Sequence, residues 1–228
     1  MQFPTCAFAA ISLIAEFRYG WNRHIWDVDA STIPLGLKLV LTSQVLFDAA
    51  TSFTKLSMLT LTYRIIGSGS KTLRKATIGV MAVVAVQGMI FAFTVAFQCR
   101  YIVPPLQQTK ADLRSPQSEY WTLSLTPQHC ISEPANLLAA GIINTITDFL
   151  VVLIPIPTVW GLKLAGREQA ILVFLFGAGF MVSIAGGVRT VYTYKVTVSN
   201  DRTWAIFPAW LSSCVELYVG IVSYPAFN

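Results

Sequence analysis

Six stretches of this sequence are apolar over about the thickness of a membrane, and all but the third, which is uncharged after Lys75 at its start, contain a charged side chain within them. About 20 consecutive, mostly apolar residues cross the hydrocarbon core of a bilayer as a helix. Only 12% of the 228 residues are charged, whereas soluble domains have about 25%. The sequence therefore predicts an all-α, polytopic bundle of transmembrane helices that forms one domain over residues 1–228. The predicted spans are residues 3–17, 36–63, 75–98, 135–160, 169–194 and 204–224.

The loops between these spans indicate an orientation. Segments 64–75 and 161–168 are short and rich in Lys and Arg, whereas segments 18–35, 99–134 and 195–203 mix acidic with basic residues. Short basic loops are typical of the cytoplasmic side, so we expect the three mixed loops outside and the C-terminus inside. The net charge of +5 lies mostly in loops, which favours contact with membrane lipid and not with nucleic acid.

Two cysteines bracket the longest predicted outer loop. A disulfide between Cys99 and Cys130 would tie the outer ends of spans three and four together, as oxidising compartments permit. Closing a loop of this size contributes about 3–4 kcal/mol in the chain-entropy model. His24 and His129 stand alone in loops, and the cysteines do not have metal-binding spacing. We therefore expect no metal and no other cofactor.

Charged side chains inside the spans form the candidate site. From the helical rise of 1.5 Å per residue, Asp48, Asp148 and Glu216 lie near mid-membrane in three different spans. Lys55 lies further toward the inner surface, on nearly the same face as Asp48, and Arg189 lies near the outer end of span five. Because an unpaired ion in hydrocarbon is costly, these groups should face the bundle interior and one another.

This constellation has three interpretations. It could be a network that only holds the helices in register, with Asn144 and Gln44 as neutral partners. It could line a pocket for a ligand or substrate, since clustered carboxyl groups in a cleft are typical of functional sites. It could also form a proton or ion path, although no pair of broken helices in matching halves favours a transporter.

Motifs that follow one another along nearly the whole chain resemble the fungal seven-helix rhodopsin-domain integral membrane proteins. They are Arg18-Tyr19-Gly20 with His24-Ile25-Trp26-Asp27 in the first outer loop; Thr54-Lys55-Leu56-Ser57; Phe97-Gln98-Cys99-Arg100 with Cys130-Ile131; Asn144-Thr145-Ile146-Thr147-Asp148; and Arg189, Thr203-Trp204, Pro208 and Glu216-Leu217. The resemblance implies a receptor-like helical bundle in a fungal membrane. Some members of that family are proposed receptors, and others are encoded beside secondary-metabolite genes.

The sequence departs from the family pattern in four respects. The first helix of the family is absent, so span one corresponds to the second family helix. The usual acid is replaced by Gln44, and an acid, Asp48, stands one turn later on the same face. Tyr218 replaces a common Asn. The sequence ends at Asn228, without a long cytosolic tail. We also expect no retinal, because span six contains no lysine for a Schiff base.

Two functional hypotheses follow. The first is a receptor-like protein that binds a small lipophilic molecule in a pocket lined by Asp48, Asp148, Arg189 and Glu216, with Lys55, Asn144, Gln44 and Tyr218 as further pocket residues. The second is a membrane-embedded cyclase or isomerase of a terpenoid or polyketide, which needs one protonated and one ionised carboxyl group close together. In that enzyme Glu216 or Asp148 would be the proton donor and Asp48 the base.

Overall fold

The computed structural model describes residues 2–66, 71–96, 133–154, 156 and 166–222. These residues form six α-helices and one 3-10 turn, Ile25–Asp27, and contain no strand. The helices are α1 (Gln2–Tyr19), α2 (Ile33–Ile66), α3 (Lys71–Ala96), α4 (Glu133–Leu153), α5 (Gly166–Val198) and α6 (Arg202–Val222). The predicted all-α helical bundle is confirmed. Cys99 and Cys130 lie outside the described residues, so their disulfide stays a prediction.

Four of these helices are long and apolar enough to cross a membrane. They are the helices that contain Ile33–Arg64, Lys71–Val95, Ala135–Leu153 and Arg202–Ile221. The predicted spans 3–17 and 169–194 coincide with α1 and part of α5, which are not among those four, so membrane crossing by these two helices stays a prediction. Large apolar side chains such as Phe93, Met181 and Leu211 are exposed on the bundle surface, as expected where helices meet lipid.

Neighbouring helices pack in two groups around a shared core. Helix α2 packs along α1 and α3, and α5 packs along α4 and α6, whereas α3 and α4 contact each other much less. The core contains Phe8, Trp21, Val40, Trp210 and Leu217. Small residues allow the close approach of α5 to α4, because a Cβ atom at Gly179 would lie 2.7 Å from Cγ2 of Val152.

The connection between α1 and α2 depends on two glycines. Gly20 has a φ of 71°, a conformation that only glycine adopts readily, and lets the chain turn at the end of α1. The following Trp21 is buried and its ring lies 6.3 Å from that of Trp210. Gly36 at the start of α2 leaves the space for Trp21, because a Cβ atom there would lie 1.8 Å from the indole nitrogen.

A histidine joins the first loop to the turn between α5 and α6. The His24 ring stacks between Trp26 and Trp204, with centroid distances of 4.7 and 4.8 Å, and its Nδ1 is hydrogen-bonded to Asp201. Asp201 also accepts a hydrogen bond of 3.1 Å from the Ile25 amide. His24 of the first-loop motif thus contacts Asp201, which lies 177 residues further along the chain. Arg18 and Asp27 of the same motif are exposed.

The His24–Asp201 contact predicts an acid-sensitive loop. Burial opposes ionisation of Asp201, but hydrogen bonds from His24, the Ile25 amide and Thr203 outweigh it and hold the pKa of this carboxyl below its ordinary value. The stability that Asp201 contributes is therefore present above the unfolded pKa of about 3.9 and is lost as the pH falls through the lower folded pKa.

We expect the melting temperature of Asp201→Asn to lie below that of the unsubstituted protein at about pH 6 and to approach it at about pH 3. Thermal unfolding in detergent at both pH values measures this difference. Asp27→Asn, on an exposed residue of the same loop, is the matched control and should show little change. If the melting temperature of Asp201→Asn were lower by the same amount at both pH values, the prediction would be contradicted.

Candidate functional site

A buried lysine ties α2 to α4 at the centre of the bundle. The Lys55 ammonium group donates to the backbone oxygen of Asn144 at 2.8 Å, to Oδ1 of Asn144 at 2.8 Å and to Oγ1 of Thr147 at 2.7 Å. It also forms an ion pair of 3.1 Å with Oδ1 of Asp148. Lys55 is only 6% exposed. Its charge is therefore compensated inside the protein and not by water.

The network continues from α4 to α5 and α6. Asn144 and Asp148 are one turn apart on the same face of α4, and the Asn144 amide group donates to Glu216 at 3.0 Å and to Asp148 at 3.3 Å. Arg189 Nε donates to the other oxygen of Glu216 at 2.9 Å. Lys55, Asn144, Asp148, Arg189 and Glu216 thus form one connected set across four helices, which we call the polar layer.

A glycine of α5 makes room for the two carboxylates. A Cβ atom at Gly186 would lie 3.1 Å from Oδ2 of Asp148 and 3.5 Å from Oε2 of Glu216. Gly186 stands almost one turn before Arg189 on the same helix, so the α5 backbone comes close both to Glu216, which pairs with Arg189, and to Asp148, which pairs with Lys55. The sequence places this glycine where any side chain would crowd the polar layer.

Asp48 stands outside the polar layer. Among the described residues its carboxylate has no hydrogen bond and no ion pair, while each of the other two mid-span carboxylates pairs with a cation. It lies near α3, where a Cβ atom at Gly88 would be 3.5 Å from Oδ2 of Asp48. Asp48 is therefore the mid-span acid with oxygens open to a ligand.

A cavity of about 110 Å³ lies on the side of the polar layer toward the predicted outer loops. We call it the outer cavity. Its lining includes Asp48, Gln44, Asn144 and Arg189 among mainly apolar side chains, which are Phe8, Val40, Phe47, Phe91, Leu137, Ala140, Val196, Ile206, Ala209 and Trp210. All six described helices contribute to this lining, so the cavity is central to the bundle.

One side chain in the outer cavity has an unused hydrogen-bond donor. Arg189 is 8% exposed, and its Nη2 atom is buried without a hydrogen-bond partner among the described residues. The guanidinium group packs over the Phe47 ring, with Cζ 4.6 Å from the ring centroid. Arg189, which lines the outer cavity, therefore donates from Nε to Glu216, while its Nη2 donor stays without a hydrogen-bond partner among the described residues.

A smaller cavity of about 60 Å³ lies on the opposite side of the polar layer. Its lining includes Lys55, Asp148 and Glu216 together with small and apolar residues of α2, α4, α5 and α6. We call it the inner cavity. The polar layer thus separates two cavities within the bundle.

The structure brings most of the sequence-predicted site residues together, but not all. Lys55, Asn144, Asp148, Arg189 and Glu216 form the polar layer, and Gln44 and Asp48 face the outer cavity. Asp148 and Glu216 line the inner cavity and Asp48 the outer one, so the predicted proton donors and the predicted base do not share a cavity. Within the described ranges, no group of three or more His, Cys, Asp or Glu side chains could hold a metal ion.

The structure places Tyr218 away from both cavities, whereas the sequence predicted it as a pocket residue. It is 48% exposed and lines neither cavity. Residues two positions apart in a helix lie on nearly opposite faces. Because Glu216 faces the interior, Tyr218 faces outward. Sequence reasoning missed Phe47, which packs on Arg189, and Asp201, which pairs with His24. An apolar residue inside an apolar span gives no signal of such a role.

Comparison with known proteins gives a consistent picture. A "SAT4 family membrane protein" of Emericella nidulans is 25% identical over 87% of this chain and 48% of its own length. "Wortmanamides biosynthesis cluster protein C" of Talaromyces wortmannii is 28% identical over 80% of this chain and 45% of its own length. "Receptor GIN3" of Arthrobotrys oligospora is 25% identical over 48% of this chain and 27% of its own length.

The chain spans about half the length of the first two of these relatives. No solved structure matches it significantly. The family model named "Fungal rhodopsin domain" matches residues 2–226, which is nearly the whole chain. Together with the apolar helices, this match makes the chain a multi-pass membrane protein, and it belongs to the fungal rhodopsin domain family.

Proposed function

We propose that this protein is receptor-like and binds a small lipophilic molecule in the outer cavity. The observation that carries the proposal is that Arg189, whose buried Nη2 donor has no partner among the described residues, lines the same cavity as Asp48. An unsatisfied buried polar group costs about 1–3 kcal/mol. A ligand with an oxygen acceptor would recover part of that free energy.

The charges beside the cavity favour a neutral ligand group. Asp148 pairs with Lys55 and Glu216 pairs with Arg189, whereas Asp48 has no ion pair of its own among the described residues. An anionic ligand would meet this carboxylate as well as Arg189. A hydroxyl group both donates and accepts, so it can donate to Asp48 and accept from Arg189. A hydroxyl or hydroxy-carbonyl group on an apolar skeleton therefore fits the cavity best.

The relatives are consistent with this type of ligand. One carries the name of a receptor, and another is named for a gene cluster that makes wortmanamides. A membrane protein that recognises a lipophilic metabolite fits both contexts. The apolar lining contributed by Phe8, Phe47, Phe91 and Trp210 would exclude water from the bound molecule, which strengthens the polar contacts at its end.

A membrane-embedded enzyme is the second candidate. The unpaired Asp48 in an apolar cavity supports it, because such a carboxylate can take up a proton from a substrate. Both oxygens of Glu216 already accept hydrogen bonds from within the protein, so Glu216 is a weak candidate for the acid in the outer cavity. The enzyme hypothesis therefore needs a donor other than the one that the sequence indicated.

Native mass spectrometry can test the proposal. The purified protein would be incubated with the lipid-soluble extract of a fungal culture, and the mass of any retained compound measured. We expect Asp48→Asn, which keeps the shape of the side chain, to reduce retention about tenfold, the equivalent of 1.4 kcal/mol. Ala209→Leu should reduce it further by filling the cavity.

Ala92→Leu is the matched control, because Ala92 is exposed on α3 and does not line the outer cavity. Retention by this variant should equal that of the unsubstituted protein. A compound released with a changed mass would favour the enzyme. Equal retention by the unsubstituted protein, Asp48→Asn and Ala209→Leu would refute binding in the outer cavity.

A further inference from the structure

A second depression lies between α3 and α4 at the level of the outer cavity. It has a volume of about 540 Å³ and is almost entirely apolar. Its lining residues are Ala82, Val83, Val86, Gln87, Ile90, Phe91, Thr94, Asn136, Ala139, Ala140 and Ile143. We call it the α3–α4 groove. These two helices contact each other much less than the pairs α1–α2, α2–α3, α4–α5 and α5–α6 do, which leaves the groove open between them.

The α3–α4 groove faces the surrounding membrane. Val83, Val86, Ile90 and Ile143 on its rim are exposed apolar side chains, and α3 and α4 both belong to the helices that can cross a membrane. Hydrocarbon is therefore the medium that meets this face of the protein.

The groove and the outer cavity adjoin each other and share two lining residues. Phe91 and Ala140 line both of them. Phe91 is 7% exposed, and Ala140 opposite it has no side chain beyond Cβ. The two residues thus form the boundary at which a molecule in the groove would enter the cavity.

A buried acceptor stands one turn before this boundary. The side-chain oxygen of Gln87 is buried and has no hydrogen-bond partner among the described residues, and Gln87 lies on the same face of α3 as Phe91. A plain hydrocarbon chain cannot satisfy this oxygen. A hydroxyl group that moves along the groove can donate to it before it reaches Arg189.

We propose that the ligand is a single-chain amphiphile that enters sideways from the membrane, with its polar head in the outer cavity and its hydrocarbon chain in the α3–α4 groove. This inference rests on the proposed function and names its ligand class. The cavity of about 110 Å³ is small beside the roughly 300–1,000 Å³ of typical ligand pockets. The groove of about 540 Å³ supplies the missing volume.

Photolabelling with two hexadecanol probes tests this arrangement. One probe carries a diazirine beside the hydroxyl end and the other carries it near the methyl end. After irradiation of the protein in lipid nanodiscs, mass spectrometry locates the modified residues. We expect the head probe to label residues of the outer cavity such as Trp210, and the tail probe to label Val86, Ile90 or Ile143. Unlabelled hexadecanol should compete with both probes, and hexadecane should not.

Ala140→Trp fills the boundary between groove and cavity and should lower labelling by both probes at these positions at least about tenfold, or 1.4 kcal/mol in affinity. Ala140→Leu is a milder second variant in case the larger ring disturbs folding. Ala92→Trp, on an exposed position of α3 outside the groove, is the matched control and should label normally.

The possible results separate the two proposals. Labelling of the outer cavity by the head probe, without labelling of the groove by the tail probe, would overturn the lateral arrangement and leave the proposed function standing. Groove labelling that hexadecane also suppresses, and that Ala140→Trp does not change, would mean ordinary lipid contact and overturn the lateral arrangement. Absence of labelling in both places would contradict both proposals for this class of amphiphile.

Discussion

Replacing Lys55 with Met is expected to destabilise the protein by about 3–5 kcal/mol, the usual cost of breaking a buried ion pair by removing one partner. Met keeps the length of the side chain but removes the ammonium group, which leaves the Asp148 carboxylate buried without its cation. The same substitution deprives Asn144 and Thr147 of a donor. Unfolding in mixed detergent micelles, followed by circular dichroism, measures the loss.

A second substitution should reverse much of this effect. In the double variant Lys55→Met/Asp148→Asn an uncharged amide replaces the buried carboxylate. The double variant should therefore be more stable than Lys55→Met alone, although both substitutions remove polar contacts. Lys71→Met at the exposed start of α3 is the control for loss of a positive charge. If Lys55→Met were as stable as Lys71→Met, the polar layer would not hold the helices together.

Gly36→Ala is expected to cost about 1–3 kcal/mol, as overpacking of a tight core does. The new methyl group would lie 1.8 Å from the indole nitrogen of Trp21, which is much closer than non-bonded atoms can come. Trp21 is buried against Trp210 and can move only if the α1–α2 connection moves with it. The melting temperature and the Trp fluorescence spectrum should both change.

Gly79→Ala is the matched control, because a Cβ atom at Gly79 would meet nothing within 4 Å. Alanine is favoured over glycine inside a helix by about 1 kcal/mol, so this substitution should stabilise the protein slightly. Equal effects of the two substitutions would show that Gly36 is not needed for the approach of Trp21 to α2.

The helices could be predicted from the sequence because apolar length determines membrane crossing. The sequence also indicated that Asp48, Asp148 and Glu216 share a depth, since depth follows from the helical rise. It could not indicate which acid pairs with which base, because pairing depends on the rotation of each helix about its axis. Lys55 lies on nearly the same face of α2 as Asp48, yet its partner is Asp148 on another helix.

The loop contact shows a similar limit. The first-loop motif drew attention to His24 and Trp26, but the residues that hold His24 are Asp201 and Trp204, far along the chain. No local pattern connects residues separated by 177 positions. The pairing required the α5–α6 turn to lie beside the first loop, which is a property of the packed bundle.

The structure also changes how Glu216→Gln should be interpreted. If Glu216 were the proton donor of an enzyme, this variant would remove the catalytic proton. Glu216 is 2% exposed and accepts hydrogen bonds from Arg189 and Asn144, so its neutralisation leaves the buried guanidinium without a counter-charge. A loss of function in Glu216→Gln would therefore not identify a proton donor unless the melting temperature were unchanged.

An electron cryomicroscopy map of the protein purified from a fungal membrane, held by a rigid antibody fragment, tests ligand binding in the outer cavity most directly. We predict density beyond the protein that lies between Arg189 Nη2 and the Asp48 carboxylate and continues past Phe91. The density should be clearly weaker in a map of Asp48→Asn prepared in the same way. A cavity that holds only water-sized features in the unsubstituted protein, or a cavity closed by a direct contact between Arg189 and Asp48, would contradict a ligand site there.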